Sequence, residues 1–111
     1  MIGAFLIKPG TIEIRETITP EPKPGEVRVR LQKTGICGSD VHLFLGHRLL
    51  QNPVIIGHEG LGIVDKTGDG ITTLQVGDRV AIEPNIPCMH CTWCRSGRGN
   101  ICINKRVLRS E

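Results

Sequence analysis

EVRVRLQK, residues 26–33, is the stretch that most clearly sets the fold. Apolar and polar side chains alternate along it, with Val27, Val29 and Leu31 on one face. A period of two is typical of a β-strand that buries one face and exposes the other to water. The stretch therefore predicts a sheet with one solvated face.

Similar but shorter segments on either side of this stretch predict further strands. They lie at Ile2–Lys8, Thr11–Glu16, Gly62–Lys66 and Arg79–Glu83. Before the central strand, TPEPKPGE at 19–26 carries three prolines, which force an extended connector. The fold class predicted from this pattern is mostly β, as a partly open barrel with short helices.

One short helix is predicted after the central strand. Ser39 is a suitable N-cap residue, and the helix would run to about Gly46. Val41, Leu43 and Phe44 would then face inward.

Composition limits the class of protein. The chain has 111 residues, of which 39% are hydrophobic and 23% charged, and this predicts one domain over residues 1–111. A net charge of +3 is too small to indicate nucleic acid as a partner. We find neither a membrane-helix-length apolar run nor a signal-peptide pattern, so we expect a cytoplasmic protein without a membrane partner. Cysteines in a reducing compartment favour metal binding over disulfides.

Four of the five cysteines lie in PCMHCTWCRSGRGNIC at 87–102. Cys88, Cys91, Cys94 and Cys102 have the spacing C-x2-C-x2-C-x7-C, which suits a tetrahedral zinc site. A site filled by four protein ligands has no open position, so it would stabilise the loop rather than activate a substrate. His90 would be exposed or beside the ligands, and Trp93 would pack the loop onto the domain.

The four cysteines are also compatible with structures other than a zinc site. They could be packed thiols or two disulfides. An iron–sulfur cluster is the sharper alternative, but bacterial ferredoxins place the fourth cysteine after three residues and before proline, whereas here seven residues intervene and Ile103 follows. Nearby cations would offset the charge of a zinc–thiolate centre, and they could also serve a zinc-ribbon-like module that contacts nucleic acid or protein. These cations are Arg95, Arg98, Lys105, Arg106 and Arg109.

The fifth cysteine lies in GICGSDVH at 35–42, and GHEGLG follows at 57–62. Cys37, His58 and Glu59 form an incomplete ligand set of the kind that a catalytic zinc uses. Asp40 could accept a hydrogen bond from a metal-bound histidine. Taken singly, each residue also fits a purely structural role, as a core thiol, a loop histidine or a helix-start carboxylate.

The order of these motifs resembles that of the zinc-dependent medium-chain alcohol and polyol dehydrogenases. GICGSDVH, then GHEGLGIVDKTGDG, then VGDRVAIEP and the four-cysteine loop span nearly the whole chain. The resemblance implies a GroES-like β-barrel that carries two zinc ions in each full-length subunit.

By similarity, Cys37 and His58 would bind the catalytic zinc, and Glu59 would be a ligand or an exchanging neighbour. Asp40 would support His58, Ser39 would take the alcohol proton, and His42 would relay it to solvent. The four remaining cysteines, Cys88, Cys91, Cys94 and Cys102, would hold the structural zinc.

The implied activity is oxidation of an alcohol, polyol, sugar or amino alcohol to the carbonyl, with hydride transfer to NAD or NADP. Gly38 stands where some animal-type members carry arginine, which favours the polyol, sugar or threonine branches. No G-x-G-x-x-G is present, so we expect the chain to be the N-terminal part of a longer enzyme whose missing domain binds the dinucleotide. The full-length enzyme would be a homo-oligomer, and this part alone would be inactive.

Overall fold

The computed structural model describes residues 1–108, in which strands predominate over helices. In chain order the elements are β1 (Ile2–Lys8), β2 (Thr11–Glu16), β3 (Val27–Gly35), α1 (Gly38–Phe44), β4 (Val54–Ile55), β5 (Glu59–Thr67), β6 (Arg79–Ala81), β7 (Asn85–Ile86), α2 (Thr92–Arg95), a short 3-10 helix (Gly99–Ile101) and β8 (Arg106–Val107). None of the helices within these residues has the length and apolar character needed to cross a membrane.

The strands form three small antiparallel sheets. Their orders are β2-β1-β4, β3-β5-β6 and β7-β8. Over the described range 1–108 these sheets do not close into a barrel. The prediction of a mostly β, partly open fold with short helices is therefore confirmed.

The predicted strands are all present, with changed limits at three of them. β1 and β2 have the predicted bounds. β5 begins at Glu59 rather than Gly62 because its pairing with β3 continues until Gly35 lies opposite Glu59. β3 extends to Gly35, beyond the predicted Lys33. β6 ends at Ala81, before the predicted Glu83. The longer β3–β5 ladder determines where the two site-bearing loops meet.

The alternation predicted for β3 is only partly correct. Val27 and Val29 are half-buried, but Leu31 is 51% exposed. The pairing of β3 with β5 shifts between Arg28 and Val29 and again between Leu31 and Lys33. Leu31 lies between these shifts, before the extra β3 residue Gln32, and it pairs with Gly62, which has no side chain to cover it. The fully buried side chains lie instead at Leu6 on β1, in the first sheet, and at Val64 on β5, which pairs with β3.

Helix α1 begins earlier than predicted and buries less. Its N-cap is Cys37, not Ser39. Leu43 is buried, whereas Val41 and Phe44 are 45% and 36% exposed and line an open, apolar groove of about 360 Å³. The inward orientation predicted for all three side chains therefore holds only for Leu43.

A network of charges ties the proline-rich connector to the second sheet. The Arg28 guanidinium on β3 pairs with Asp65 on β5 at 2.8 Å and with Glu21 of the connector at 3.0 Å. Lys66 contacts the other carboxylate oxygen of Glu21 at 2.5 Å. These contacts lower the pKa of Glu21, chiefly through the hydrogen bond from Lys66. The connector is thus held by ion pairs together with backbone hydrogen bonds, such as the one from the Gly25 N–H to the oxygen of Asp69 at 2.8 Å.

Candidate metal centres

The end of β3 and the start of β5 bring three metal-ligating side chains together. Cys37 follows β3 and starts α1, His58 immediately precedes β5, and Glu59 is the first residue of β5. The Gly35–Glu59 pairing of the two strands places these chain segments side by side. One ligand atom from each of the three side chains lies within 4.8 Å of the others. Cys37 is far from His58 and Glu59 in the sequence, and the antiparallel pairing of β3 with β5 places them close together.

Asp40 connects two members of this set. Its Oδ2 accepts a hydrogen bond from the backbone N–H of Cys37 at 3.0 Å, and its Oδ1 lies 3.2 Å from Nδ1 of His58. The carboxylate is buried, with the residue only 6% exposed. Because Nδ1 of His58 faces Asp40, the other ring nitrogen, Nε2, is directed to the remaining side of the site. This is the arrangement expected of a carboxylate that orients a metal-binding imidazole.

Gly57 allows the chain to turn into His58, and the sequence analysis did not single it out. Its φ is +89°, a conformation that side-chain-bearing residues seldom adopt. A Cβ atom at this position would lie 2.7 Å from Oγ1 of Thr34 on β3. The sequence Gly57-His58-Glu59 contained a signal for this turn, since a glycine before a ligand can mark a close approach of two backbones.

The donor set fits a zinc ion with an open coordination position. Sulfur, imidazole nitrogen and carboxylate oxygen are all zinc ligands, and three protein ligands leave the fourth tetrahedral position to a small molecule. Cys37 is half-buried and the His58 side chain is 17% exposed, while Glu59 is exposed. The site is therefore accessible from solvent on the Glu59 side.

Ser39 and His42 occupy different surroundings. The hydroxyl Oγ of Ser39 lies 3.4 Å from Nε2 of His58, next to the ligand set. His42 is exposed and its Nδ1 lies 3.0 Å from Nδ1 of His47. No direct hydrogen bond joins Ser39 to His42 in the described part of the chain, so the predicted relay would require a bridging group. His47 was not recognised from the sequence.

An open cleft of about 510 Å³ adjoins the site. Ser39, Asp40 and His58 form part of its wall, together with Leu43. The rest of the wall is mainly apolar and comes from the segment before β5 and from the end of the described chain. These residues are Leu49, Leu50, Gln51, Asn52, Pro53, Val54, Ile55, Ile56, Gly57, Val107 and Leu108. The cleft gives a small molecule room beside the candidate metal position.

The four remaining cysteines form the second group. Their ligand atoms all lie within 4.8 Å of one another. The Sγ–Sγ distances are 3.5 Å from Cys91 to Cys94, 3.8 Å from Cys91 to Cys102 and 3.9 Å from Cys88 to Cys94. A tetrahedron of sulfurs about 2.3 Å from zinc has edges of about 3.8 Å, which matches these values. The distances far exceed a disulfide bond of about 2.05 Å, and all five cysteines are free.

Backbone N–H groups make the sulfurs of this group unequal. A hydrogen bond from the backbone of Cys94 is the main cause that lowers the pKa of Cys91 to about 6. A similar bond from the backbone of His90 lowers the pKa of Cys88. Burial, with help from the thiols of Cys91 and Cys102, raises the pKa of Cys94 to about 12. The loop thus already stabilises thiolate, the form in which cysteine binds metal, at two of its positions.

The other residues predicted near this loop have varied contacts. The His90 side chain is exposed and outside the ligand group. Trp93 is 38% exposed and carries the Arg98 guanidinium 5.9 Å from its ring centroid, so it does not anchor the loop by deep burial. Lys105 donates a hydrogen bond to the backbone oxygen of Asn100 at 3.2 Å. Arg109, another of the predicted cations, lies outside the described residues.

Comparison with known proteins adds to this geometry. Residues 23–109 match the model of the alcohol dehydrogenase GroES-like domain. The sorbitol dehydrogenase of Arabidopsis thaliana is 43% identical over 105 residues, which is 91% of this chain and 29% of that protein.

Solved structures agree with this match. The crystal structure of a short chain alcohol dehydrogenase (rspB) from E. coli CFT073, complexed with NADH, has a TM-score of 0.86 and 42% identity over 97% of this chain and 32% of that chain. Galactitol-1-phosphate dehydrogenase from Escherichia coli has a TM-score of 0.90 and 32% identity, over 99% of this chain and 32% of that one. This chain therefore spans about a third of the length of the relatives it matches.

The matched domain family and the fold of the solved structures agree with the resemblance drawn from the motif order. The chain belongs to the alcohol dehydrogenase GroES-like domain family, the N-terminal domain of the zinc-dependent medium-chain alcohol and polyol dehydrogenases.

Proposed function

We propose that this chain is the zinc-bearing catalytic part of an alcohol or polyol dehydrogenase that transfers hydride to NAD or NADP. The observation that carries the proposal is the group of Cys37, His58 and Glu59 at the edge of an open cleft, with Asp40 behind the imidazole. Relatives named sorbitol dehydrogenase and a relative crystallised with NADH support the substrate and cofactor classes.

Cys37 and His58 hold the catalytic zinc in this proposal, with Glu59 as third ligand or exchanging neighbour. When bound, zinc supplies Lewis acidity that favours the ionised form of an alcohol. Asp40 keeps Nδ1 of His58 engaged, so that the ring offers Nε2 to the metal.

Ser39 accepts the proton of the substrate alcohol in this proposal. Its hydroxyl lies beside Nε2 of His58, and so beside the position where an alcohol would enter. The hydroxyl oxygen accepts the alcohol proton and passes its own proton outward. His42 is exposed and able to exchange protons with solvent, which suits the outer end of that path. A bound molecule must connect the two, because they share no hydrogen bond within residues 1–108.

The four-cysteine group has a structural role in this proposal. A zinc ion there is fully coordinated by Cys88, Cys91, Cys94 and Cys102 and has no position for substrate. Its effect is to fix a loop in which Cys102 is the one buried residue among residues 87–102.

The domain assignment also belongs to the proposal. Residues 1–111 form one catalytic domain, and dinucleotide binding falls to sequence outside it, because this sequence carries no Rossmann glycine pattern.

We further propose a homo-oligomer in the cytoplasm, without nucleic-acid or membrane partners. Large apolar side chains are exposed at many places in the described residues, among them Ile18 at 88% and Leu49 at 96%, and this supports contacts with further protein surface.

Cobalt substitution tests the metal site without relying on turnover. Co²⁺ in a cysteine-containing site gives visible absorption bands that respond to its ligands. We expect a Cys37→Ala variant to lose one of two bound metal ions and a Cys102→Ser variant to lose the other. Addition of a small alcohol should perturb only the bands that depend on Cys37. Iron with a visible chromophore in the purified protein would contradict the assignment.

A chimera tests the reaction itself. The chain would replace the matching segment of the Arabidopsis thaliana sorbitol dehydrogenase, which supplies the remaining two thirds. We expect NADH or NADPH formation with alcohols or polyols, and at least a ~10²-fold lower kcat/KM after Cys37→Ala or Ser39→Ala. A folded, zinc-loaded chimera in which neither substitution alters the rate would contradict the proposed roles.

A further inference from the structure

Helix α1 ends in a turn that brings two histidines together. The backbone N–H of Gly46 bonds to the oxygen of Leu43 at 3.0 Å, and that of His47 bonds to the oxygen of His42 at 2.9 Å. Gly46 has φ of +77°. These features define a Schellman motif, in which the residue after the glycine lies against the residue five positions earlier. An apolar pair usually fills these two positions, but here both residues are histidine.

The two imidazoles face each other through the same ring atom. Their Nδ1 atoms are 3.0 Å apart, and the rings are tilted by 46° with centroids 5.3 Å apart. Both side chains are exposed, so solvent and ions can reach them. Two nitrogens at this distance are joined by a hydrogen bond when one neutral ring carries its proton on Nδ1 and the other carries its proton on Nε2.

The same separation suits two ligands on one metal ion. Imidazole nitrogens bind at about 2.0–2.1 Å, so a 3.0 Å separation corresponds to a nitrogen–metal–nitrogen angle of about 94°. Angles near 90° belong to neighbouring positions of square-planar or octahedral ions. The wider angle of a tetrahedral ion needs about 3.3 Å, which a small rotation of two exposed rings supplies.

We propose that His42 and His47 form a surface site that chelates a late first-row divalent ion, such as Ni²⁺, Cu²⁺ or Zn²⁺, in addition to the two cysteine-containing centres. The ring that carries its proton on Nδ1 moves it to Nε2 through solvent, so that both Nδ1 atoms are free to bind the ion, and water completes the coordination. Imidazole is a suitable ligand for all three ions. The backbone hydrogen bonds of the Schellman motif fix the two ring-bearing residues in advance, so little conformational freedom is lost on binding.

This site has a consequence for catalysis that rests on the proposed function. If His42 carries protons to solvent, an ion on its Nδ1 blocks that nitrogen and slows turnover. The binding of the ion does not depend on this role.

Calorimetric titration of the zinc-loaded, tag-free chain with NiCl₂ tests the site. We expect one Ni²⁺ to bind per chain while the zinc content stays constant. His42→Ala and His47→Ala should each weaken binding at least about tenfold, because a chelating pair becomes a single ligand. His90→Ala is the matched control, since it removes another exposed histidine outside both ligand groups. Equal affinity in all three variants, or release of zinc in proportion to nickel bound, would overturn the proposal.

A second measurement does not depend on the variants. Paramagnetic Ni²⁺ at low occupancy should broaden the ring NMR signals of His42 and His47 before those of His58 and His90. Earlier broadening at either of the latter two would also overturn the proposal. In the chimera, inhibition by Ni²⁺ that His47→Ala relieves supports the catalytic consequence. Binding without inhibition would preserve the metal site and count against the role of His42 alone.

Discussion

Asp40 and His58 form a buried contact, 3.2 Å from Oδ1 to Nδ1, that orients the imidazole from behind. The second oxygen of the same carboxylate accepts the backbone N–H of Cys37 at 3.0 Å. One side chain therefore ties the start of α1 to the residue before β5. The positions of two proposed ligands are coupled through it, so the site's geometry depends on Asp40 even though Asp40 lies outside the ligand set.

Asp40→Asn should weaken metal binding at the Cys37 site by about 10–100-fold and leave the four-cysteine site unchanged. The amide keeps an oxygen for one partner, but it loses the negative charge and presents an NH₂ group to the other. Competition with a coloured zinc chelator measures both sites in turn. Asp65→Asn is the control, because Asp65 pairs with Arg28 away from either centre. Equal zinc retention in the two variants would contradict the role given to Asp40.

The candidate site was partly predictable from local sequence motifs. The cysteine spacing predicted the four-cysteine group. The two motifs at 35–42 and 57–62 predicted Cys37, His58 and Glu59 as one ligand set. What the sequence could not show is the contact geometry, since the Gly57–Thr34 approach and the His42–His47 pair depend on how a strand ladder and a helix end are built. The position of His47 had a usable signal in Gly46, because glycine at a helix end predicts a Schellman motif and the residue after it then lies against the last turn of the helix.

The fold was predictable where hydrophobic periodicity is local. β1 and β2 appear with the predicted bounds because a tight turn joins them and their pairing is mostly regular. β3 and β5 are separated by α1 and a long segment, and their register contains two shifts that no local pattern reveals. Leu31 is exposed where it pairs with Gly62, which has no side chain to cover it, and the fully buried side chains are those of Leu6 and Val64.

Gly57→Ala should destabilise the fold and reduce zinc at the Cys37 site. A side chain at φ +89° is strained by about 1–2 kcal/mol, and its Cβ also collides with Thr34 at 2.7 Å. Gly70→Ala is a matched control, with φ of +82° and open space around the added atom. Urea unfolding should show a loss of about 1 kcal/mol for Gly70→Ala and a clearly larger loss for Gly57→Ala. Equal losses would mean that the contact with Thr34 has no effect.

Cys102→Ser should remove the metal of the four-cysteine loop and preserve that of the Cys37 site. Serine is a poor zinc ligand, and the buried sulfur also accepts the backbone N–H of Cys88 at 3.3 Å. Elemental analysis should find about one zinc per chain fewer than in the unchanged protein, and limited proteolysis should cut within residues 88–102. Cys37→Ala is the reciprocal control, expected to lose the other ion while the loop stays protected. Loss of both ions from either variant would indicate that the two centres are not independent.

Glu21→Gln should lower the melting temperature near neutral pH, and the difference from the unchanged protein should narrow in acid. The hydrogen bond from Lys66 and the charge of Arg28 hold the pKa of Glu21 below its ordinary value of 4.5. An acid with a lowered folded-state pKa stabilises the fold above its unfolded pKa, and that stabilisation is lost as the pH falls through the folded value. Because Glu21 is exposed, the effect should be small and should also shrink with added salt.

Melting curves at about pH 7 and about pH 3 measure this difference, and Glu16→Gln is the control because no ion pair involves Glu16 within residues 1–108. The control should melt like the unchanged protein at both values. A Glu21→Gln difference that persists undiminished at low pH would show that the connector is held by something other than its charge. The two ion pairs of Glu21 would then be a result of the connector's position rather than its cause.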